Sequence, residues 1–251
     1  RMVAQAMEDG ALGLGASLSY PPAAYGETEE LIELSKVVAG YDGIYITHMR
    51  SEGDNIYDAL DEVFRISHEA NVPAEIYHLK INVSRNWSKI DTLLYRIDSA
   101  RSAGLQVTAN MYPYIASGTG LSARLPNWVQ AGGGREMRKR LRQRETRNRV
   151  LKEMRLGIPY KNSDPRDVQL IHFRDDSLNN RYRGKRLDEV ARIHGKDADE
   201  TLIDLILTDR SRIDALYFLQ SEENVRKIMK KPYVSFGSDA GSLAIDTLNN
   251  D

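Results

Sequence analysis

Gly43-Ile44-Tyr45-Ile46-Thr47-His48-Met49-Arg50-Ser51-Glu52-Gly53 reads as a short apolar strand that ends on a histidine and breaks into a charged loop. Thirty residues after His48, Pro73-Ala74-Glu75-Ile76-Tyr77-His78-Leu79-Lys80 repeats the pattern. Between them, Ile56, Leu60, Val63, Phe64 and Ser67 recur at i, i+4, i+7, i+8 and i+11, the stripe of an amphipathic helix over 55–70. A strand, a helix and a strand in that order form a βαβ unit with parallel strands. The two imidazoles then stand at the same end of neighbouring strands.

The same rhythm extends outward in both directions. Met2, Val3, Ala6 and Met7 make a short helical stripe closed by Asp9-Gly10, and 11–18 follows as a small-residue strand ended by Tyr20-Pro21-Pro22. Thr28 reads as the N-cap of a helix over 29–41. After the second histidine strand come a helix over 89–103, stopped by Gly104, and a strand over 106–112, closed by Pro113. Alternating strands and helices predict an α/β fold with a parallel sheet, for which a barrel is one closure. The rhythm changes at Ile115. Glycine loops at 117–120 and 132–134 precede a basic segment, 135–155, with ten Lys/Arg against three Glu, which reads as helix-like. A strand over 168–173 and helices near 187–193 and 200–207 follow, then a strand over 215–219 and a helix over 222–230 capped by Ser221. Tyr233-Val234-Ser235-Phe236-Gly237-Ser238-Asp239 reads as a last strand ending on an aspartate. The organisation expected is barrel βα units over 1–114, an inserted helical and loop segment over 115–214, and a last barrel-strand region over 215–251. Arg1 in mid-helix and the unfinished final loop read as the ends of a piece of a longer protein.

Composition narrows the function classes. A formal net charge of −1 offers no bulk attraction to nucleic acid or membrane, so neither is expected as a partner. The absence of cysteine excludes thiolate chemistry within these residues and fits a reducing, cytoplasmic setting. No apolar run reaches the roughly 20 residues of a membrane span.

Two histidines at the C-terminal ends of adjacent strands occupy the face where barrels carry their chemistry, and neutral imidazole is a common zinc ligand. Asp239, at another strand end, would add a carboxylate as ligand or general base. A lone strand histidine is more often structural; the pairing is what raises the metal reading. Lys80 shares a side with His78 by period-two alternation and is a candidate for a substrate carboxylate. The hydroxyls of Tyr20, Tyr112 and Tyr114 are candidates for the same mouth, against a plain packing role. Arg50 and Glu52 read as an ion pair orienting their loop. His68, His172 and His194 lie apart from this pattern. The basic run raises nucleic acid as an alternative, but it lacks interleaved aromatics and reads more simply as a solvated amphipathic helix covering part of the barrel.

At these residues the chain resembles the N-acyl-D-amino-acid deacylases (D-aminoacylases) of the amidohydrolase superfamily. Gly10 to Leu14, Tyr20-Pro21-Pro22, Gly43 to Gly53 and Tyr77 to Lys80 carry the likeness. It continues through Asn86-Trp87, Met111 to Tyr114, Tyr217-Phe218, Ser221-Glu222 and Phe236 to Asp239. The resemblance implies a TIM-like (β/α) barrel of the metal-dependent hydrolase type, incomplete in this chain, and zinc (Zn2+) as cofactor. It implies amide hydrolysis of a small-molecule N-acyl-D-amino acid to a D-amino acid and a carboxylate. His48 and His78 match metal-binding positions, Asp239 the catalytic aspartate, and Lys80 and Tyr112 substrate-carboxylate positions. The family's His-X-His strand and cysteine ligand would lie upstream of Arg1, and a further substrate-binding arginine beyond Asp239. For the residues given alone, weak or no zinc binding and no hydrolysis are therefore expected. Asn110 stands where many members have aspartate, and Gly118 where some have serine. A cyclic-amide hydrolase of the same superfamily and a non-catalytic barrel remnant are the alternatives. Side-chain preference, acyl group and oligomeric state are not legible.

Overall fold

A computed structural model describes residues 1–157 and 163–240. Its first half is a regular βα succession: α1 (Met2–Glu8), β1 (Gly13–Ser17), α2 (Thr28–Ala39), β2 (Ile44–His48), α3 (Ile56–Ala70), β3 (Ala74–Ile76), α4 (Ile90–Ser102) and β4 (Val107–Met111). The middle contributes β5 (Ser117–Gly120), α5 (Asn127–Gln130), α6 (Gly133–Leu141), α7 (Arg144–Arg155), β6 (Val168–His172), α8 (Asp176–Tyr182), α9 (Leu187–His194), α10 (Ala198–Asp209) and β7 (Asp214–Tyr217). The chain then returns through α11 (Glu222–Met229) to β8 (Val234–Phe236).

The periodicities explain the elements. In α3 the residues at the predicted spacing, Ile56, Leu60, Val63 and Ser67, are buried against the sheet. Asn71, in the left-handed region at φ +50, ends the helix, and Pro73 forbids its continuation. Ser221 caps α11 as expected, its hydroxyl accepting from the Asn224 amide at 3.4 Å. Thr28 does not cap α2. It is the first helical residue, and its hydroxyl donates instead to Glu62 on α3 at 2.8 Å.

Five strands form one parallel sheet in the order β1-β2-β3-β4-β8. With helices over its outer face this is an arc of a TIM-like α/β barrel. One core runs through it, with Tyr45, Leu60, Ile66, Ile76, Leu93 and Val107 fully buried. Gly13 is required where β1 meets β2, because a Cβ there would overlap the Ile44 carbonyl oxygen.

The middle segment builds its own layer. β5, β7 and β6 form an antiparallel sheet with a separate core that includes Leu121, Leu170, Phe173, Leu202 and Tyr217. The strand expected to open the last barrel region at 215 is therefore β7 of this second sheet, paired with β5 and β6. The barrel resumes with α11 and β8. Residues 241–251 of that expected region lie outside the described residues. The basic segment 135–155 is two helices, broken at Gln143, which is extended (ψ 122). Leu141 and Val150 are both fully buried, yet nine residues, two and a half turns, would put them on opposite faces of one helix. The break lets both face the same core.

Candidate active site

His48 is the last residue of β2, and His78 lies two residues past β3, its parallel neighbour. His78 takes a left-handed backbone (φ +38), unusual for a residue with a Cβ. Three hydrogen bonds hold this turn. Tyr77 N–H donates to the Thr47 carbonyl (2.9 Å), His78 N–H to Asn110 Oδ1 (2.7 Å), and Leu79 N–H to the Asn110 carbonyl (2.8 Å). Asn110 Nδ2 in turn donates to Glu75 at 2.6 Å. An amide serves both bonds, whereas an ionised aspartate would face Glu75 with no proton to donate. Asn110 thus matches the chemistry of its neighbours at the position the resemblance singled out.

The turn brings the imidazoles together. His48 Nδ1 and His78 Nε2 are 2.9 Å apart, with the rings edge to face at 81°. On its other side, His78 Nδ1 is 3.0 Å from Glu52 Oε1 and 2.7 Å from Lys80 Nζ. Glu52, from the loop after β2, is only 1% exposed. Its carboxylate accepts from the Lys80 ammonium and, at 2.9 Å, from Asn82 Nδ2. Burial pushes the Glu52 carboxyl up, but the facing charges of His48, Lys80 and His78 outweigh this and hold it well below the ordinary carboxylate range. Glu52 does not pair with Arg50. Arg50 instead grips Glu62 through two hydrogen bonds of 2.8 and 2.9 Å and donates to the Ala24 and Gly26 carbonyls, tying β1's following loop to α3.

A cavity of about 600 Å³ opens over the histidines, and of the candidates named from the sequence Tyr20, His48, His78, Lys80, Tyr112 and Asp239 line it, whereas Tyr114 does not. Asp239 is not a strand terminus. β8 ends at Phe236, and Asp239 sits three residues on, exposed and left-handed (φ +52). Tyr112 is 5% exposed; its hydroxyl donates to Ser117 Oγ (2.9 Å) and accepts from Gln220 Nε2 (3.3 Å). Burial, reinforced by the Glu52 carboxylate, pushes its phenol up, so it stays neutral. Tyr20 donates to Thr119 Oγ1 at 3.3 Å, and burial raises its phenol too. Tyr114 stacks on Tyr112 and is half exposed outside the cavity. His68 is on the exposed end of α3, His172 ends β6, and His194 bonds Tyr182 at 2.8 Å, all away from the site.

The second sheet supplies the opposite wall through Ser117 to Gly120 and Arg212. Gly118 has room for a side chain: a Cβ there meets only Leu216 Cδ2, at ordinary contact distance. Two participants escaped the sequence reading. Glu52 was assigned to the wrong partner; its only signal was its place four residues after a candidate ligand. Gln220 gave no local signal, being polar and next to a helix cap.

The ligand atoms of His48, Glu52 and His78 lie within 4.8 Å of one another, two nitrogens and a carboxylate oxygen, a donor set that suits zinc. His48 Nδ1 and His78 Nε2 are the two ring nitrogens that approach each other, at 2.9 Å. Glu52 backs His78 from the far side, as carboxylates do behind metal-bound imidazoles.

No protein-family model matches the chain. The chain is 31% identical over 235 residues to a D-aminoacylase of Alcaligenes xylosoxydans xylosoxydans, a match covering 94% of this chain and 39% of that protein. Among solved structures, a D-aminoacylase that defines a subset of the amidohydrolases superposes with a TM-score of 0.69 at 28% identity, over 94% of this chain and 40% of that one. An N-acyl-D-glutamate deacylase from Bordetella bronchiseptica shares the fold, with a TM-score of 0.72 at 24% identity over 95% of this chain and 41% of that one. The chain thus spans 39% of the length of the D-aminoacylase it matches. Along the residues given, it is similar in sequence and in fold to the D-aminoacylases of the amidohydrolases.

Proposed function

We propose that the protein containing this chain is a zinc-dependent amidohydrolase that cleaves the linear amide of N-acyl-D-amino acids, releasing a D-amino acid and a carboxylate. The observation that carries this reading is the convergence of His48 Nδ1 and His78 Nε2, 2.9 Å apart, at the base of a cavity that Asp239 also lines. A relative that matches nearly the whole chain is a D-aminoacylase. The Bordetella deacylase of the same fold was solved with zinc and a phosphonate that mimics the tetrahedral intermediate.

His48 and His78 would hold the zinc, with Glu52 fixing the ring of His78. When bound, the metal supplies Lewis-acid polarisation of the amide and a more acidic water. The remaining roles fall to side chains. Asp239 is exposed to the cavity and carries the proton from the attacking water to the leaving amine. Tyr112 and Tyr20 keep neutral hydroxyls at the cavity wall and orient the substrate. Lys80 lines the same cavity beside them and lends positive charge toward a substrate carboxylate, although most of its donors are spent on Glu52 and His78. Residues 1–114, residues 115–157 with 163–220, and residues 221–240 act as barrel, wall and returning barrel segment. No described helix is long and apolar enough to cross a membrane; a cytoplasmic location goes with the cysteine-free sequence and is tested by cell fractionation.

The test is hydrolysis of N-acetyl-D-methionine and its L-enantiomer by the zinc-loaded protein, with metal content measured. D-selective release of amino acid, lost in Asp239→Ala, is the expected result. Turnover of a cyclic amide instead, or bound zinc without any hydrolysis, would sink the reading.

A further inference from the structure

A second cavity, of about 510 Å³, adjoins the first and shares Tyr20, Ser122, Gln130 and Arg212 with it. Four arginines line it, Arg135 and Arg138 on α6 and Arg210 and Arg212 on the approach to β7, and among the described residues no aspartate or glutamate does. Arg212 pairs through Nε with Asp214 at 3.2 Å, which leaves its terminal nitrogens free of that contact. Arg135, Arg138 and Arg210 enter no ion pair among the described residues. The nearby carboxylates are committed elsewhere: Glu136 faces Lys139, and Asp209 is buried on the Asp175 amide and the Ser211 hydroxyl. Four like charges around one concavity repel one another, an arrangement that an anion relieves. Guanidinium is the side chain best shaped for bidentate binding of carboxylate or phosphate.

We infer that this arginine-lined cavity is an anion subsite continuous with the active site, so that the preferred substrate carries a second anionic group away from the scissile amide. This rests on the deacylase reading for the identity of the scissile bond, but not for the binding of the anion. The second charge resides either on the amino-acid side chain or at the far end of the acyl group; the chemistry recognised is the same.

The test uses the zinc-loaded protein in an Asp239→Asn background, so that binding is read by calorimetry without turnover. The probes are N-acetyl-D-glutamate, N-succinyl-D-alanine and N-acetyl-D-leucine. At least one dianionic probe should bind about tenfold more tightly than the leucine compound, an advantage lost in Arg138→Gln and in Arg212→Gln. It should also fade as salt is raised. Whichever dianionic probe shows the effect places the second charge on the side chain or on the acyl group. Equal binding of all three probes, unchanged by either arginine substitution, would overturn the subsite. Arginine-dependent binding in a protein that hydrolyses no N-acyl-D-amino acid would keep the subsite and remove the deacylase reading. Circular dichroism of each variant checks that the fold is retained.

Discussion

Replacing Glu52 by Gln tests the buried network most directly. Glu52 is 1% exposed and Lys80 3%, so neither charge is solvated by water to any extent. The carboxylate accepts from the Lys80 ammonium and from Asn82, and faces His78 Nδ1 at 3.0 Å. In Glu52→Gln the ammonium keeps the His78 carbonyl at 3.0 Å but loses its counter-charge. Removing one partner of a buried pair costs ~3–5 kcal/mol, because the other charge is left uncompensated. With an m-value of about 3 kcal/mol/M, the urea midpoint should fall by roughly 1–1.7 M. Urea is the denaturant to use, since guanidinium salt would screen the charges under test, and a chelator removes any contribution from metal. The double variant Glu52→Gln/Lys80→Met should recover most of the loss, giving a coupling well above the ~0.5 kcal/mol of independent sites. Zinc affinity gives a second readout: without its backing carboxylate, His78 should bind metal some 10–100-fold more weakly. A midpoint within about 0.2 M of the parent, together with additive single and double variants, would show that the pair is not the buried unit described here.

Gly13→Ala should destabilise the protein by at least ~1–3 kcal/mol, since its Cβ would meet the Ile44 carbonyl and push β1 off β2; an unchanged thermal midpoint would refute the close approach. Hydrogen bonding to Arg85, helped by Asn86, holds the Asp54 carboxyl at about 2, below its unfolded value. Its contribution is therefore complete above about pH 4 and drains away as the pH falls toward 2. Asp54→Asn should flatten that limb of the thermal midpoint against pH, and a limb identical to the parent's would rule out the assignment. Burial pushes the Tyr45 phenol up to about 12. The unfolded chain then loses this proton first, from about pH 10 upward. Stability should fall with rising pH between about 10 and 12 and fall less steeply in Tyr45→Phe.

The βα succession and the two histidines were legible because they rest on local periodicity. A stripe such as Ile56, Leu60 and Val63 announces a helix whatever surrounds it, and a histidine after an apolar strand announces a strand end. Glu52 shows the limit. In the sequence it is one charge in a loop, two residues from an arginine, and the nearest opposite charge is the natural partner to assign. The true partner is 28 residues away, because the pairing of β2 with β3 sets their following loops side by side. The basic segment was misread for a related reason. Its charges masked two short apolar stripes, Met137 with Leu141 and Val150 with Leu151 and Met154, whose phases agree only if the helix breaks.

The amino-acid order alone therefore determined the α/β barrel class and the residues that meet over one cavity: His48, His78, Lys80, Tyr20, Tyr112 and Asp239. Tertiary structure decided who holds them: Glu52 behind His78, Ser117 and Gln220 on Tyr112, and the arginines beyond Tyr20. Periodicity and strand ends are written within a few residues. A hydrogen-bond partner or a cavity wall depends on how strands 30 to 100 residues apart are laid against one another, and that is settled only when both cores close.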